Sequence, residues 1–279
     1  MTTFRKATTF RDAIDWTSEK LGNRLESELL LAHLLGRNRA WLYAHGSETC
    51  PPEIESRFRE LVGRREGGEP IAYIIGHREF YGREFQVNGD VLIPRPETEL
   101  LVEQALSLDL PDQASVLDIG TGSGCIAITL GMERPTWKIT AVDISAAALA
   151  VAETNRNRLG ADAVRLLQGN LFDTVDGQHF DLVVSNPPYV AENDRHLEQG
   201  DLRFEPNVAL SAGPDGLNLI RDIVSQAPRH LHSDGWLMLE HGHDQAVAVR
   251  DTLTRADFDQ VQSKPDLAGI ERISFGRSC

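Results

Sequence analysis

The sequence predicts an α/β fold, in which a small helical domain precedes a doubly wound and mostly parallel sheet. Two observations lead to this prediction. In roughly the first 75 residues, apolar side chains recur at spacings of three and four residues, which is the period of a helix. From residue 115 onward, short apolar runs alternate with helical segments. Such alternation is typical of a parallel sheet that is covered by helices on both faces.

The N-terminal segment carries the helical period most clearly in its leucine-rich run over residues 25–35. Gly36 follows this run and suits the end of a helix, because glycine readily adopts a left-handed conformation. Pro51-Pro52 opens a second apolar helical pattern, which Gly67-Gly68 ends. We therefore expect a helical domain over residues 1–78, and the segment contains no catalytic motif of its own.

The apolar period changes near residue 80. Asn88-Gly89 is a dipeptide typical of two-residue hairpin turns. It is flanked by apolar residues on both sides: Phe80, Phe85, Val87, Val91 and Ile93. We therefore predict a β-hairpin with its turn at Asn88-Gly89, which links the domains within residues 79–94. Residues 95–279 then form the α/β domain.

Within this α/β domain the strands and helices follow from the apolar runs. The predicted strands are residues 115–119, 137–142, 164–168, 180–185 and 235–240. The predicted helices between them are residues 126–132, 146–159 and 217–227. Because parallel strands end at the same edge of a sheet, polar residues that follow these strands are candidates for a shared site.

Charge is distributed unevenly along the 279 residues, whose formal net charge is −14. Residues 1–80 hold 12 basic and 12 acidic side chains, so residues 81–279 hold 28 − 12 = 16 basic and 42 − 12 = 30 acidic ones. A protein that binds nucleic acid usually has a basic surface. The composition therefore argues against DNA or RNA as the direct substrate.

Apolar segments are too short to cross a membrane, and the N-terminus does not look like a signal peptide. The three cysteines, Cys50, Cys125 and Cys279, are far apart and odd in number, which fits a reducing compartment better than a disulfide framework. We therefore expect a cytoplasmic protein that has no membrane partner. The His and Cys residues form no cluster with metal-ligand spacing, so no metal site is predicted.

A glycine-rich loop follows the predicted strand 115–119. The loop reads Gly120, Thr121, Gly122, Ser123, Gly124, so its spacing is GxGxG and differs from the GxGxxG of dinucleotide-binding folds. Glycines here allow a tight turn and a close approach of the backbone to a ligand. A plain tight turn is the alternative interpretation of the loop.

Asp143 ends the next predicted strand, in Ala141-Val142-Asp143. A carboxylate at this place can accept hydrogen bonds from both ribose hydroxyls of a nucleoside ligand. Aspartate before a helix is also a common helix cap, and a helical pattern does begin at Ala146. The glycine loop on the preceding strand favours the ribose interpretation.

Asn186-Pro187-Pro188-Tyr189 follows the strand 180–185 directly. Such a segment can simply end a strand, but it also fits methylation of an amide nitrogen, whose lone pair is delocalised into the carbonyl. Asn186 Oδ1 and the Pro187 carbonyl could accept both N–H bonds of a primary amide and so orient its nitrogen. Proline fixes φ and aims that carbonyl, and Tyr189 offers an aromatic wall for the planar group.

With these motifs in place, the whole chain resembles the HemK-like peptide chain release factor glutamine methyltransferases. The Asn-Pro-Pro-Tyr box is also shared with N6-adenine DNA methyltransferases. The helical N-terminal domain and the run Pro94–Glu99 are more specific to the family. Further segments that fit the family pattern are Phe204–Pro206, Ala209-Leu210, Gly213–Leu217, Glu240–Gly242 and Asp266–Gly269 with Arg272.

The resemblance implies a Rossmann-like class I methyltransferase sheet, S-adenosylmethionine as cofactor, and a helical domain that recognises the substrate. The implied substrate is the glutamine of the Gly-Gly-Gln motif in class I release factors. By the resemblance, Asn186–Tyr189 bind the glutamine, with Asn186, Pro187 and Tyr189 as the catalytic group. The cofactor residues would be Gly120–Gly124, Asp143, Asn186 and, near the adenine, Asn170 and Leu171. The family commonly has an acidic residue and Trp where this chain has Asn170-Leu171, so a large aromatic stack on the adenine is missing.

Two other functions are compatible with parts of this pattern. A nucleic-acid adenine methyltransferase needs similar geometry at a ring amino group, but such enzymes usually add a basic target-recognition region. A methyltransferase fold that has lost activity and only binds proteins is the non-enzymatic alternative. The intact glycine loop, Asp143 and Asn186–Tyr189 argue against such a loss.

Overall fold

The structure is a computed structural model that describes residues 8–195 and 200–279. The chain divides into two compact units, Met1–Gly76 and His77–Cys279. No helix in the described ranges is both long and apolar enough to cross a membrane. The α/β fold class with a helical N-terminal region is confirmed.

The first unit is helical. Its helices are α1 (Phe10–Leu21), α2 (Arg24–Leu35), α3 (Arg39–His45), α4 (Pro52–Glu66) and α5 (Ile71–Ile75). Short-range signals set several of their ends: Thr9 and Asp12 form a capping box at the start of α1, and Gly36 ends α2 in the left-handed conformation. The helices enclose one apolar core, in which Leu30, Leu31 and Phe58 are almost completely buried.

The second unit begins with a two-stranded hairpin, β1 (His77–Phe80) and β2 (Arg83–Gln86). Its turn is Tyr81-Gly82, so the predicted turn at Asn88-Gly89 is wrong. Tyr81 and Gly82 have φ values of 52° and 72°, and positive φ at both central residues is what a two-residue hairpin turn of type I′ needs. Phe80 and Phe85 pack into the core of the sheet domain, so the hairpin belongs to this compact unit.

The main sheet has seven strands in the order β5-β4-β3-β6-β7-β9-β8. The strands are β3 (Ser115–Ile119), β4 (Lys138–Asp143), β5 (Arg165–Gln168), β6 (Phe180–Ser185), β7 (Leu231–Glu240), β8 (Phe258–Pro265) and β9 (Glu271–Ser278). The first five in the sheet order pair in parallel, while β9 pairs antiparallel with both β7 and β8. The five predicted strands are confirmed, whereas β8 and β9 were not predicted.

Helices cover both faces of this sheet. They are α6 (Thr98–Ser107), α7 (Cys125–Glu133), α8 (Ala146–Leu159), α9 (Asn218–Gln226) and α10 (Ala246–Arg255). Alternate strand residues point to opposite faces, so Val116 belongs to the core that contains α6 and α7 side chains, and Leu117 to the core that contains those of α9 and α10. The two cores fix the strands, and with them the positions of the loops at the strand ends.

Candidate active site

The loops that follow β3, β4 and β6 line one cavity of about 340 Å³. The three strands are neighbours and run parallel, so Ile119, Asp143 and Ser185 end at the same edge of the sheet. Small-molecule sites in such folds lie at this edge and typically enclose roughly 300–1,000 Å³. Every described residue that lines the cavity lies in the second compact unit.

The glycine loop presents open backbone to this cavity. Gly120 and Gly122 are left-handed, with φ of 72° and 55°, and a Cβ built on either would meet no atom within 4 Å. Gly124 differs, because its Cβ would lie 2.7 Å from Ile128 Cδ1. The first two glycines therefore leave room for a ligand, while the third allows the packing of α7 and does not line the cavity.

Thr121 and Ser123 line the same cavity, but both are buried and hold the loop. The Thr121 hydroxyl donates to Asp118 Oδ2 at 2.6 Å, and the Ser123 carbonyl accepts from Asn155 Nδ2 at 2.9 Å. Asp118 is completely buried, and burial raises its pKa to about 7. These contacts stabilise the loop, and the space beside Gly120 and Gly122 remains open to a ligand.

Asp143 lines the cavity beside the glycine loop. Its two carboxylate oxygens accept from the backbone N–H groups of Gly122 and Ser145 at 2.8 and 2.9 Å. Burial raises the pKa of Asp143, and these backbone hydrogen bonds oppose that shift. The cap of α8 is Ser145, whose hydroxyl accepts from Ala148 N at 3.1 Å. Asp143 is therefore not the helix cap, and an ionised carboxylate has further acceptor positions for a ligand.

Asn170 and Leu171 both line the cavity on the loop after β5. Asn170 is exposed, whereas Leu171 is buried against the core that contains Phe172. Leu171 has a φ of 50°, which is uncommon for a residue with a side chain. The two residues thus supply one polar and one apolar group, and no aromatic surface, to this side of the cavity.

Asn186 follows β6 and lines the cavity with Pro187 and Pro188. Its Nδ2 donates to Thr98 Oγ1 at 3.0 Å. Its Oδ1 is buried and has no hydrogen-bond partner within the described residues. Leaving a buried acceptor unpaired costs about 1–3 kcal/mol, and such a group in a native structure calls for an explanation. A ligand N–H donor in the cavity would satisfy it.

Tyr189 lies elsewhere than expected. It is not among the described residues that line the cavity. Its ring packs against the core on the α9 and α10 face of the sheet, and its hydroxyl donates to Glu240 Oε1 at 3.3 Å. The aromatic wall predicted for Tyr189 is therefore wrong for this arrangement, because the ring fills core space and the hydroxyl serves a buried carboxylate.

Sequence analysis missed several polar residues around the cavity. Thr98 begins α6 and lines the cavity, and Glu240 ends β7 and is 1% exposed. Arg95 lines the cavity as well and forms an ion pair of 2.7 Å with Glu205, whose side chain is completely buried. Thr98, Glu205 and Glu240 lie in segments that carry the family resemblance, so their roles, and not their presence, were overlooked.

Comparison with known proteins relates both units to one family. The PrmC N-terminal domain model matches residues 12–76, and the methyltransferase small domain model matches residues 96–201. The release factor glutamine methyltransferase of Pseudomonas aeruginosa is 49% identical over 254 residues, which cover 91% of this chain and 92% of that protein. The enzyme of the same name from Bordetella pertussis is 52% identical over 256 residues, which cover 91% of this chain and 94% of that protein.

The chain belongs to the release factor glutamine methyltransferase family. A methyltransferase from Pyrococcus furiosus has a similar fold, with a TM-score of 0.54, 17% sequence identity and coverage of 80% of this chain and 98% of that one. At that identity the likeness concerns the fold alone. Membership of the release factor glutamine methyltransferase family makes the edge of the sheet, with its open glycine backbone and unpaired Asn186 oxygen, the candidate active site.

Proposed function

We propose that this protein transfers a methyl group from S-adenosylmethionine to the side-chain nitrogen of the glutamine in the Gly-Gly-Gln motif of class I release factors. The observation that carries the proposal is the buried Asn186 Oδ1, which has no partner among the described residues at the cavity. A primary amide has the N–H donors that this acceptor lacks. Membership of the release factor glutamine methyltransferase family supports this substrate.

The residues around the cavity fit the proposed cofactor. Gly120 and Gly122 leave backbone open to a ligand, and Asp143 offers acceptors for ribose hydroxyls. Asn170 and Leu171 are the groups we assign to the adenine side. When bound, S-adenosylmethionine supplies an electrophilic methyl group on a positively charged sulfur. A carboxylate, the space beside the glycine backbone and a neutral amide suit such a ligand.

In the proposed mechanism, the protein orients a poor nucleophile. Asn186 Oδ1 and the Pro187 carbonyl accept the two N–H bonds of the substrate amide, and this turns the face of its nitrogen towards the methyl group. Positioning of this kind lowers the barrier without a strong base. The nitrogen gains the methyl group as the carbon–sulfur bond breaks, and it then releases one proton to solvent. The products are N5-methylglutamine and S-adenosylhomocysteine.

The proposed partners act in translation, so we place the protein in the cytoplasm. We assign substrate recognition to the helical unit Met1–Gly76, and the methyltransferase reaction to the unit His77–Cys279, which includes the hairpin. A nucleic-acid substrate is not expected, because residues 81–279 are strongly acidic. They hold 28 − 12 = 16 basic and 42 − 12 = 30 acidic side chains.

A direct test uses the purified chain, a class I release factor and S-adenosylmethionine with a labelled methyl group. We expect mass spectrometry to find one added methyl group on the glutamine of the Gly-Gly-Gln peptide. A release factor in which that glutamine is replaced by glutamate serves as the matched control and should remain unlabelled. Labelling of an adenine-containing oligonucleotide in place of the release factor would contradict the proposal.

Asp143→Ala should weaken S-adenosylmethionine binding by on the order of 1–3 kcal/mol, because it removes the acceptors for the ribose and for two backbone N–H groups. Asp143→Asn keeps one acceptor oxygen and should lose less affinity. Calorimetry on the two variants and the unaltered chain measures both effects. Unchanged affinity in Asp143→Ala, or binding of NAD in place of S-adenosylmethionine, would show that the cofactor assignment is wrong.

A further inference from the structure

A buried polar chain runs behind Asn186 and joins three elements of the fold. Asn186 follows β6, Thr98 begins α6, and Glu240 ends β7. The Asn186 Nδ2 donates to Thr98 Oγ1 at 3.0 Å. The Thr98 hydroxyl in turn lies close enough to the Glu240 carboxylate to favour its ionised form. Thr98 and Glu240 are 2% and 1% exposed, so water does not substitute for these contacts.

We infer that Thr98, held by Glu240, determines which way round the Asn186 amide lies and thereby presents its oxygen to the substrate. The inference rests on the proposed function and adds two positioning residues to it. Neither residue is required to touch the reacting atoms. Thr98 acts through Asn186, and Glu240 acts through Thr98.

The polarity of this chain follows from the donors and acceptors that each group has. An ionised carboxylate only accepts hydrogen bonds, whereas a threonine hydroxyl has a single hydrogen to donate. Above pH 7, where Glu240 is ionised in the folded protein, Thr98 donates that hydrogen to the carboxylate, and its oxygen can then only accept from Asn186. Asn186 must then turn its NH2 group towards Thr98, which leaves Oδ1 at the cavity.

The shape of the side chain alone would not produce this result. The oxygen and nitrogen of an amide have nearly the same size, so a reversed Asn186 would fit the same space. A reversed amide would place N–H donors against the N–H donors of the substrate amide, and it could not orient the nucleophile. The hydrogen-bond direction set by ionised Glu240 excludes this arrangement.

Other groups near Glu240 are compatible with its role as an acceptor. The Tyr189 hydroxyl donates to its Oε1 at 3.3 Å. Burial opposes the ionised form of this carboxylate, as Glu97 does by its charge, whereas Arg272 favours it. Glu240 therefore lies near two hydroxyl groups and charges of both signs.

Thr98→Val tests the inference, since valine has nearly the shape of threonine but offers no acceptor. We expect kcat for methylation of a Gly-Gly-Gln substrate to fall about tenfold to a hundredfold, with S-adenosylmethionine affinity changed less than about twofold. Thr98→Ser keeps the hydroxyl and should retain most of the kcat. Thr129→Val is the matched control, because Thr129 is equally buried and its hydroxyl has no partner within the described residues.

A second measurement separates this inference from the proposed function. In the ¹⁵N-labelled protein, the side-chain NH2 signals of Asn186 are assigned by their loss in Asn186→Ala. We expect Thr98→Val to shift these signals and speed their exchange with solvent, whereas Thr129→Val leaves them unchanged. Signals that do not respond to Thr98→Val would overturn the inference, whatever the activity. A responding signal in a protein that does not methylate release factors would support the inference and contradict the proposed function.

Discussion

Asn186→Ala is expected to reduce kcat for methylation of a Gly-Gly-Gln substrate by on the order of a hundredfold or more. The change removes the buried oxygen that we assign to the substrate amide, and with it the hydrogen bond to Thr98. Affinity for S-adenosylmethionine should change much less, because the proposed hydrogen bond of this oxygen is to the substrate amide. Single-turnover kinetics and calorimetry on the same preparation measure the two effects separately.

Asn186→Asp is the control that keeps acceptor oxygens at this position. A carboxylate could still accept both N–H bonds of the substrate, but it cannot donate to Thr98 and would add a second negative charge near Glu240. Its charge would also attract the positive sulfur most strongly before methyl transfer, which stabilises the ground state more than the transition state. We expect partial activity from aspartate and almost none from alanine. Near-normal turnover of Asn186→Ala would contradict the orientation mechanism.

The parallel sheet could be predicted because its signals are local. The predicted helix 146–159 coincides with α8, where Ser145 caps the first turn and Gly160 ends the last one in the left-handed conformation. The strands β3, β4 and β6 are short apolar runs, since most of their residues are buried on both faces of the sheet. Such runs are visible in a single sequence.

The hairpin shows why a strong local signal can still mislead. Asn88-Gly89 has the dipeptide that favours a two-residue turn, yet its asparagine side chain accepts from Asp90 N at 3.0 Å and forms a local turn outside any strand pair. Tyr81-Gly82 makes the hairpin turn instead. Burial of the flanking Phe80 and Phe85 decides the register, and that burial depends on the whole domain.

The C-terminal strands and the positioning residues were missed for a related reason. β8 alternates poorly in hydrophobicity, because several of its residues are exposed at the edge of the sheet. Thr98 lies 88 residues before Asn186, and Tyr189 lies 51 residues before Glu240. Contacts over such separations follow from the order of strands in the sheet, which the residues themselves do not reveal.

Glu240→Gln is expected to become more stable relative to the unaltered chain as the pH rises from 5 to 8. Burial raises the pKa of Glu240 from 4.5 to about 7 in the folded protein. Between these values the folded state holds a proton that the unfolded state has lost, so rising pH lowers the stability of the unaltered chain. Glutamine does not titrate. The difference in unfolding free energy should therefore grow by roughly 2–3 kcal/mol over this range and become constant above pH 7.

Only the pH dependence of this difference tests the prediction. In Glu240→Gln, the amide NH2 group takes the place of Glu240 Oε2, which has no partner among the described residues. Burying this unpaired NH2 group lowers the unfolding free energy by an amount that does not vary with pH. His241 acts in the opposite direction, because burial lowers its pKa and stability rises with pH as the unfolded histidine loses its proton. That contribution is common to both proteins and cancels in the difference.

Urea unfolding at several pH values gives the measurement. Replacing Trp16 and Trp41 by phenylalanine leaves the fluorescence of Trp137 and Trp236, which report on the unit His77–Cys279. Glu103→Gln is the matched control, because it removes a glutamate that is exposed on α6 and should give a difference that hardly changes with pH. A difference for Glu240→Gln that stays flat, or that shrinks as the pH rises, would mean that Glu240 does not hold a proton in the folded protein near neutral pH. The buried carboxylate would then be ionised throughout this range, and Glu240 would make no pH-dependent contribution to the unfolding free energy.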